Sequence, residues 1–250
     1  MPSITEKRRT FRSMHEQGCF VIPNPWDIGS ARYLQHLGFK ALATTSLGYA
    51  YAAGYADGEV PRGLMLDHIA ELVEATDLPV NADFESGFAD TPEGVAANVQ
   101  RALETGIAGL SIEDQAGPGS LYPLDMAVAR IQAARAAIDA SGTGALLVAR
   151  TEAYLNEIKD VAFAIERLKA FSEAGADCLF APGMTDAAEI AETVKAVAPK
   201  PVNVLIMNPD MRVADLAALG VRRVSVGGAL AAAAWRGFDA AAAALAEQLA

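Results

Sequence analysis

Three short, mostly apolar runs of the sequence end in charged residues that could do chemistry together. Asp83 and Glu85 follow the first run, Glu113 follows the second and Arg150 follows the third. A buried strand that ends in a charged residue carries the charge to the edge of a sheet, where it can be solvated or can bind a ligand. The carboxylates therefore predict a hard divalent cation, and the arginine predicts an anionic substrate.

Four carboxylates near these strand ends, Asp83, Glu85, Glu113 and Asp114, are candidates for one metal site. The side chains of Asp83 and Glu85 project to the same face if the strand continues through both. Carboxylates from adjacent strands can converge on one Mg²⁺, with Mn²⁺ as an alternative ion, and leave positions open for substrate oxygens. The other interpretation is that each acid only caps the helix after it. For the set of four, metal binding is the favoured interpretation.

Two further features suit an anionic substrate. Arg150 could bind a carboxylate or phosphoryl group through two parallel hydrogen bonds, or it could form a structural ion pair with Glu152 or Glu113. The segment 44–48, Thr-Thr-Ser-Leu-Gly, offers hydroxyls and backbone N–H groups for a carboxylate, although the same composition is common in turns.

Acid–base chemistry is not expected from histidine. His15, His36 and His68 fall in helical segments away from the ends of the predicted strands. Proton transfer would then depend on carboxylates, tyrosines, a lysine or metal-bound water. Asp57, in a loop bracketed by glycines, could bring a carboxylate over the strand ends, or it could be a solvated turn residue.

Predicted strands and helices, which would carry these residues, alternate regularly along the chain. The predicted strands are 19–23, 41–45, 79–83, 109–113, 145–150, 178–181, 202–205 and 223–226. The predicted helices are 28–37, 64–75, 92–105, 124–140, 160–174, 187–196, 212–219 and the Ala-rich tail 229–249. Because Gly237 interrupts the tail, we expect a short helix followed by a second one there.

This alternation predicts an α/β fold, a (β/α)8 TIM barrel that comprises residues 1–250 as one domain. Glycines at the joints between helices and strands, as at Gly38 and Gly175, support a repeated helix–strand unit. The alternative is an open doubly wound sheet, which would require a glycine-rich loop after the first strand. The segment 23–27, Pro-Asn-Pro-Trp-Asp, is not such a loop.

The composition restricts the class of partner. A net charge of −11 and the lack of a dense basic stripe argue against nucleic acid and anionic membranes as partners. No run reaches the ~18 apolar residues of a membrane helix, and no signal peptide is evident. Cys19 and Cys178 lie in apolar runs without metal or disulfide spacing, so we expect reduced thiols in a cytoplasmic protein.

Several motifs, in the same order along the chain, resemble those of the phosphoenolpyruvate mutase/isocitrate lyase superfamily. These motifs lie at 25–31, 44–48, 54–58, 81–88, 111–115, 149–152, 174–177 and 200–203. The resemblance implies a Mg²⁺-dependent barrel enzyme that makes or breaks a C–C or C–P bond next to a 2-oxo acid, through an enolate of pyruvate. It also implies a homo-oligomer, a dimer or tetramer, with an exchanged C-terminal helix.

The resemblance implies roles for the charged residues. Asp83 and Glu113 would bind Mg²⁺, with Glu85 as a possible additional ligand. Asp57 would lie beside the reacting group, and Arg150 would neutralise the leaving or transferring anion. Such a site would stabilise a developing enolate electrostatically.

The resemblance also implies a binding site for the oxo-acid substrate. Thr45, Ser46 and Leu47 would hold its carboxylate, partly through backbone N–H groups, and Arg150 and Asn203 would contact the substrate as well.

Three departures from the family pattern bear on the reaction. The segment 116–122 is Ala-Gly-Pro-Gly-Ser-Leu-Tyr, where the lyase branch has Lys-Lys-Cys-Gly-His with a Cys that serves as acid or base. No basic residue occurs between Arg101 and Arg130, where the mutase branch has a lysine-bearing gating loop. Asn81 replaces the first aspartate of the family's Asp-Ala-Asp motif. Isocitrate-type cleavage and phosphoryl transfer are both disfavoured as a result.

The favoured hypothesis is a Mg²⁺-dependent lyase that cleaves a C–C bond of a 2-oxo or 2-hydroxy dicarboxylate, by decarboxylation or retro-aldol cleavage. The second is a phosphonopyruvate/phosphoenolpyruvate C–P mutase or hydrolase. The third is a barrel that binds a metal and an oxo acid without turnover. The residues leave open whether the segment 117–122 closes over the site as a lid.

Overall fold

The computed structural model describes residues 2–249. The strands within this part of the chain are β1 (Phe20–Ile22), β2 (Leu42–Ala43), β3 (Val80–Asp83), β4 (Gly109–Glu113), β5 (Gln115–Gly117), β6 (Ser120–Leu121), β7 (Leu146–Arg150), β8 (Cys178–Phe180), β9 (Val202–Leu205) and β10 (Arg223–Ser225). The helices are α1 (Ile4–Met14), α2 (Ile28–His36), α3 (Ser46–Ala53), α4 (Arg62–Ala75), α5 (Pro92–Glu104), α6 (Leu124–Ser141), α7 (Val161–Glu173), α8 (Ala187–Val197), α9 (Val213–Ala218) and α10 (Ala229–Ala246), followed by a 3₁₀ turn, Glu247–Leu249.

Eight of the strands form a parallel sheet in the order β1-β10-β9-β8-β7-β4-β3-β2. The outer strands of this order meet through a backbone hydrogen bond of 3.1 Å from Ala43 N to Pro23 O, so the sheet forms a nearly closed barrel. Helices in the connections cover its outside. The predicted (β/α)8 barrel is confirmed.

The register of the central strands brings the predicted site residues to one edge of the barrel. Glu113 at the end of β4 pairs with Arg150 at the end of β7. Asp83 at the end of β3 pairs with Ser111 of β4. Because the strands are parallel, these carboxyl ends all lie at the same rim.

Each of the eight predicted strands is present, although several are shorter than predicted. The sequence reasoning missed α1, α3 and the β5–β6 hairpin. The residues at the start of α3 resembled a turn, but Thr45 caps the helix by accepting a hydrogen bond from Gly48 N at 3.2 Å. Gly54 ends it in the left-handed conformation, with φ of 78°.

The prediction of two helices in the Ala-rich tail is wrong, because α10 continues through Gly237. One glycine costs a helix only about 1 kcal/mol relative to alanine, and the many alanines around it favour the helix. Among residues 2–249, every helix is too short or too polar to cross a membrane.

The end of the barrel opposite this rim is closed by α1. Phe11 of this helix is fully buried and packs with Ile22, Ala41 and Ala43. Gly109 makes this packing possible, because a Cβ atom there would lie 3.0 Å from Phe11 Cε1. Above this apolar layer the interior becomes polar, towards the rim that carries the candidate site.

Candidate active site at the carboxyl ends of the strands

Two adjoining cavities open at the rim of the barrel. The inner chamber has a volume of about 180 Å³ and the outer cavity about 600 Å³. Ser46, Asp57, Arg150 and Leu155 line both, so the two spaces meet at these side chains. The polar residues that line the inner chamber are Asn24, Thr44, Thr45, Ser46, Asp57, Asn81, Asp83, Ser111, Arg150, Arg223 and Ser225. The charged residues that line the outer cavity are Asp57, Glu59, Glu85, Asp90, Glu113, Arg150 and Glu152.

Arg150 lies among three carboxylates. Its Nη1 is 3.3 Å from Asp83 Oδ1 and 3.4 Å from Glu113 Oε2, and its Nε donates to Glu152. Burial alone would lower the pKa of Arg150, but Glu152, Glu113 and Asp83 raise it well above its ordinary value. The structural ion pair that the sequence left open is therefore present, and the same guanidinium also faces both cavities.

Asp83 is held by donors from α3 and β4, in addition to Arg150 of β7. Its Oδ2 accepts hydrogen bonds from Ser46 N at 3.0 Å and from Ser46 Oγ at 2.9 Å. Ser111 Oγ lies 3.5 Å from its Oδ1. The amino end of α3, where we expected the substrate carboxylate, thus contributes its first N–H group to Asp83.

Glu85 reaches the outer cavity from a turn and not from a strand. Because β3 ends at Asp83 and the φ of Glu85 is 48°, the premise that both project from one continuing strand is wrong. Glu85 Oε1 is buried and has no hydrogen-bond partner among the described residues. Burial, followed by the charges of Asp83 and Asp57, raises the pKa of Glu85 to about 7.

The loop that carries Glu85 is held from two helices. Arg130 of α6 donates to the carbonyl oxygens of Ala89 and Asp90, each at 2.6 Å, and also to that of Ser86. Asn98 of α5 donates to the carbonyl oxygen of Gly87 at 2.9 Å. These contacts impose the left-handed backbone that directs the Glu85 carboxylate into the cavity.

The carboxylates raise one another's pKa values. Burial raises the pKa of Glu113 well above its usual value, although Arg150 opposes this shift. Burial and the charge of Asp83 raise the pKa of Asp57. In the part of the chain that the structure describes, Arg150 is the only basic side chain that lines the outer cavity, against six acidic ones. The site therefore has a surplus of negative charge.

This donor set fits a hard divalent cation. Within residues 2–249, no three acidic, histidine or cysteine side chains are already grouped as a complete metal site. Mg²⁺ does not require such a group, because it retains several waters and binds through one or two carboxylates. Asp83, Glu113 and the unpartnered Glu85 offer the oxygen ligands, and a cation would offset their surplus charge. The metal ligands nevertheless stay a prediction.

Asp114 does not belong with the other three acids. Its Oδ2 is 2.6 Å from Arg167 Nε, and its Oδ1 accepts a hydrogen bond from Glu152 N at 2.8 Å. Both partners of the ion pair are buried. Asp114 therefore supports the end of β7 from beneath, and its proposed share in a metal site was wrong.

Only some of the residues that we expected to bind substrate line the inner chamber. Thr45, Ser46 and Leu47 line the inner chamber at the amino end of α3. The described residues that line either cavity do not include Asn203. Its side chain is buried and donates to Ser225 Oγ at 3.0 Å.

The hairpin after β4 forms one wall of the outer cavity. Gly117, Pro118 and Tyr122 line this wall, and Tyr122 OH donates to Asp90 Oδ1 at 2.9 Å. The segment 117–122 thus lies next to the site, and its action as a lid stays a prediction.

Sequence reasoning missed Glu152 and Arg223 as residues of the site. Glu152 was considered only as a partner for Arg150, although it lines the outer cavity. Arg223 lies in an apolar run that predicts a strand. Because successive side chains of a strand point to opposite faces, its position on the inward face was the signal that could have identified it.

The chain is similar to known proteins over most of its length. The family model described as phosphoenolpyruvate phosphomutase matches residues 11–246. An uncharacterised protein of Mycobacterium tuberculosis is 36% identical over 221 residues, which cover 87% of this chain and 81% of that protein. An oxaloacetate decarboxylase of Paraburkholderia xenovorans is 33% identical over 239 residues, 88% of this chain and 74% of that enzyme.

Solved structures share the fold over nearly the whole chain. A crystal structure of a putative lyase/mutase from Burkholderia cenocepacia is 48% identical, with a TM-score of 0.92 and coverage of 96% of this chain and 87% of that one. A putative phosphonomutase from the same organism is 37% identical, with a TM-score of 0.90 and coverage of 99% and 100%. Oxaloacetate acetylhydrolase in complex with the product oxalate is 27% identical, with a TM-score of 0.87 and coverage of 95% and 86%.

Proposed function

The chain belongs to the phosphoenolpyruvate mutase/isocitrate lyase superfamily, and on this premise we propose that it is a Mg²⁺-dependent lyase. The proposed reaction cleaves a C–C bond of a 2-oxo or 2-hydroxy dicarboxylate, by decarboxylation or retro-aldol cleavage. The observation that carries this proposal is the charge of the outer cavity, which six acidic residues and Arg150 line. An anionic substrate would be repelled there unless a cation offset the carboxylates.

The sizes of the two cavities suit a small substrate. The inner chamber, at about 180 Å³, has room for a small acid such as pyruvate or oxalate. The remaining part of the substrate would extend past Arg150 into the outer cavity. For a four-carbon 2-oxo dicarboxylate, decarboxylation would leave a three-carbon enolate in the inner chamber and release the second carboxylate as CO2.

The charged residues of the site would have separate tasks. Asp83 and Glu113, with Glu85 beside them, would hold the ion. The chemistry that Mg²⁺ supplies when bound is electrostatic stabilisation of the negative charge that develops on the 2-oxo oxygen. Arg150 would neutralise the departing anion, and Asp57 would lie beside the bond that breaks, where both cavities meet.

Phosphonate chemistry is the second candidate, supported by the description of the family model and by the 37% identical relative described as a putative phosphonomutase. A phosphoryl group carries more charge than a carboxylate and usually requires several cationic contacts. Arg150 is the basic residue among the described residues that line the outer cavity, and it already contacts three carboxylates. This charge balance favours C–C cleavage.

We also propose a homo-oligomer. Along α10 only Ala231 is buried, whereas Trp235 is 37% exposed, Phe238 62% and Leu245 66%. Exposed aromatic and aliphatic side chains on one helix are typical of a subunit interface. A dimer or tetramer in which α10 packs on another subunit would cover them.

The metal site and the reaction can be tested together. We would titrate oxalate into metal-free protein by calorimetry, with and without added Mg²⁺, for the wild type, Asp83→Asn and the control Glu74→Gln, which lies exposed on α4. The proposal expects Mg²⁺ to strengthen oxalate binding in the wild type and the control but not in Asp83→Asn. Equal strengthening in all three would contradict the assignment of Asp83.

Turnover assays then distinguish the candidate reactions. We would supply Mg²⁺ and either oxaloacetate, 2-hydroxy dicarboxylates or phosphonopyruvate, and follow pyruvate and glyoxylate or phosphate-bearing products by NMR. Release of pyruvate from a dicarboxylate supports the lyase. If phosphonopyruvate were the only compound converted, the phosphonate candidate would replace the lyase proposal. Mg²⁺-dependent oxalate binding without any turnover would indicate a binding protein.

A further inference from the structure

Two segments that follow neighbouring strands form part of the wall of the outer cavity. The loop 85–90 follows β3, and the hairpin of β5 and β6, residues 115–121, follows β4. Both segments line the cavity. A segment next to a site either closes over the substrate as a lid or stands as a fixed wall. The contacts at each end of the hairpin decide between these two possibilities.

One buried arginine holds both ends of the hairpin. Arg167 of α7 is 4% exposed, and it donates from Nη2 to Tyr122 O at 2.7 Å and from Nε to Asp114 Oδ2 at 2.6 Å. The two ends are also bonded to each other, because Tyr122 N donates to Asp114 O at 2.9 Å. The residues before and after the hairpin, where a lid would have its hinges, are therefore fixed to the layer of helices.

The first strand of the hairpin is bonded to the segment after β7. Asn156 Nδ2 donates to Gln115 Oε1 at 2.7 Å and to Glu152 O at 3.0 Å. Gln115 thus connects the hairpin to a segment whose residues Glu152, Leu155 and Asn156 line the same cavity. Movement of the hairpin away from this segment would break the contact.

Tyr122 connects the other end of the hairpin to the loop 85–90. Its hydroxyl donates to Asp90 Oδ1 at 2.9 Å, and its ring centroid lies 4.1 Å from Cζ of Arg130. Arg130 is 1% exposed and donates to the carbonyl oxygens of Ala89 and Asp90, each at 2.6 Å. A guanidinium against an aromatic face adds a second attractive contact to the hydrogen bond. The same arginine therefore holds the loop and contacts the residue that follows the hairpin.

We propose that Tyr122 is a positioning residue that joins the hairpin to the loop 85–90, so that the hairpin is a fixed wall of the outer cavity and not a lid. Opening of the hairpin would have to break its contacts with Asn156, Asp90 and Arg130 at the same time. The loop that Tyr122 contacts carries Glu85. The consequence for catalysis rests on the proposed function, in which Glu85 lies beside the metal ion.

The two cavities should respond differently to the loss of Tyr122. None of the described residues of the loop 85–90 or of the segment 115–122 lines the inner chamber. A small acid in the inner chamber should therefore bind with little change. A dicarboxylate that extends into the outer cavity should be turned over more slowly, because the wall beside its distal part is no longer fixed.

The test is hydrogen–deuterium exchange of the full chain without substrate, followed by mass spectrometry, for the wild type, Tyr122→Ala, Tyr122→Phe and Tyr154→Phe. Tyr154→Phe is the matched control, because the Tyr154 hydroxyl also donates to a carboxylate, Glu189 Oε2, at 2.9 Å. In the wild type, we expect the segment 115–122 to exchange at least about tenfold more slowly than an unstructured peptide. Tyr122→Ala should accelerate exchange in both 115–122 and 85–90 by at least about tenfold, Tyr122→Phe should do so less, and Tyr154→Phe in neither segment.

Three results would overturn the proposal. Exchange of the wild-type hairpin at the rate of an unstructured peptide would show a mobile lid. An effect of Tyr122→Ala confined to the hairpin would mean that Tyr122 does not hold the loop 85–90. Equal acceleration in the strand β8 would indicate a general loss of stability. Tyr122→Phe keeps the ring against Arg130, so it supplies the same comparison with a smaller effect if the alanine variant does not fold.

Kinetics provide a second measurement and separate the two proposals. For a dicarboxylate that the wild type cleaves, Tyr122→Ala should lower kcat/KM by at least about tenfold and leave the affinity for oxalate within about threefold. An equal loss of both would contradict the positioning role. The exchange measurement requires no substrate, so it decides the role of Tyr122 even if no dicarboxylate is cleaved. Turnover by a protein with a mobile hairpin would support the lyase and refute the fixed wall.

Discussion

Removal of the Asp114 carboxylate should destabilise the protein more than removal of any exposed acid. The Asp114 side chain is 1% exposed and that of Arg167 is 5% exposed, and their contact measures 2.6 Å. Asp114→Ala would leave the guanidinium of Arg167 buried without its counter-charge. It would also remove the acceptor for Glu152 N, which lies 2.8 Å from Asp114 Oδ1.

The expected size follows from these contacts. Breaking a buried ion pair by removing one partner costs about 3–5 kcal/mol. Arg167 also donates to Tyr122 O at 2.7 Å, which retains one of its hydrogen bonds and places the expected cost in the lower half of that range. At about 2–4 °C per kcal/mol for a chain of this size, the melting temperature should fall by roughly 6–16 °C.

The free energy of unfolding of Asp114→Ala can be measured by urea denaturation and compared with two controls. Glu157→Ala breaks the exposed pair with Lys159 and should cost less than about 1 kcal/mol. Asp114→Leu combined with Arg167→Met removes both charges and should recover most of the loss. A cost below about 1 kcal/mol for Asp114→Ala, or a double variant no more stable than the single one, would show that the buried ion pair does not set this stability.

Three further predictions concern other parts of the molecule. Burial lowers the pKa of His15 to about 3 and that of His68 to about 4, so below pH 6.5 the unfolded chain binds more protons. The free energy of unfolding should therefore fall by about 2 kcal/mol per histidine between pH 7 and pH 5. The double variant His15→Gln/His68→Gln, measured by urea denaturation at both pH values, should lack this loss. The comparison separates the histidines from buried carboxylates with raised pKa values, whose titration changes stability in the opposite direction. Gly109→Ala places a Cβ 2.9 Å from the Leu146 carbonyl oxygen and should lower the unfolding free energy by about 1–3 kcal/mol; a neutral effect would mean that the strands can separate there. Phe238→Glu should shift the protein from oligomer to monomer in light scattering, and a wild type that is already monomeric would contradict the interface on α10.

The departures from the sequence predictions have a common cause. Thr45 and Ser46 have the composition of a turn, but Thr45 caps a helix there, and two hydrogen bonds to Asp83, 37 positions away in the chain, hold Ser46 at its first position. Glu85 was expected to continue a strand, and buried Arg130 and Asn98 instead hold its loop in a turn. In each case, partners distant in sequence decided a conformation that local composition left open.

Patterns within a few residues were enough to predict the eight strands, their alternation with helices and the charges at the strand ends. The same short motifs carried the family resemblance. Which of the charges meet depends on how the barrel closes. The contact of Arg150 with Asp83 joins residues 67 positions apart, and that of Arg223 with Asn81 joins residues 142 apart. Such contacts depend on the register and closure of the barrel, which no short segment of the chain encodes.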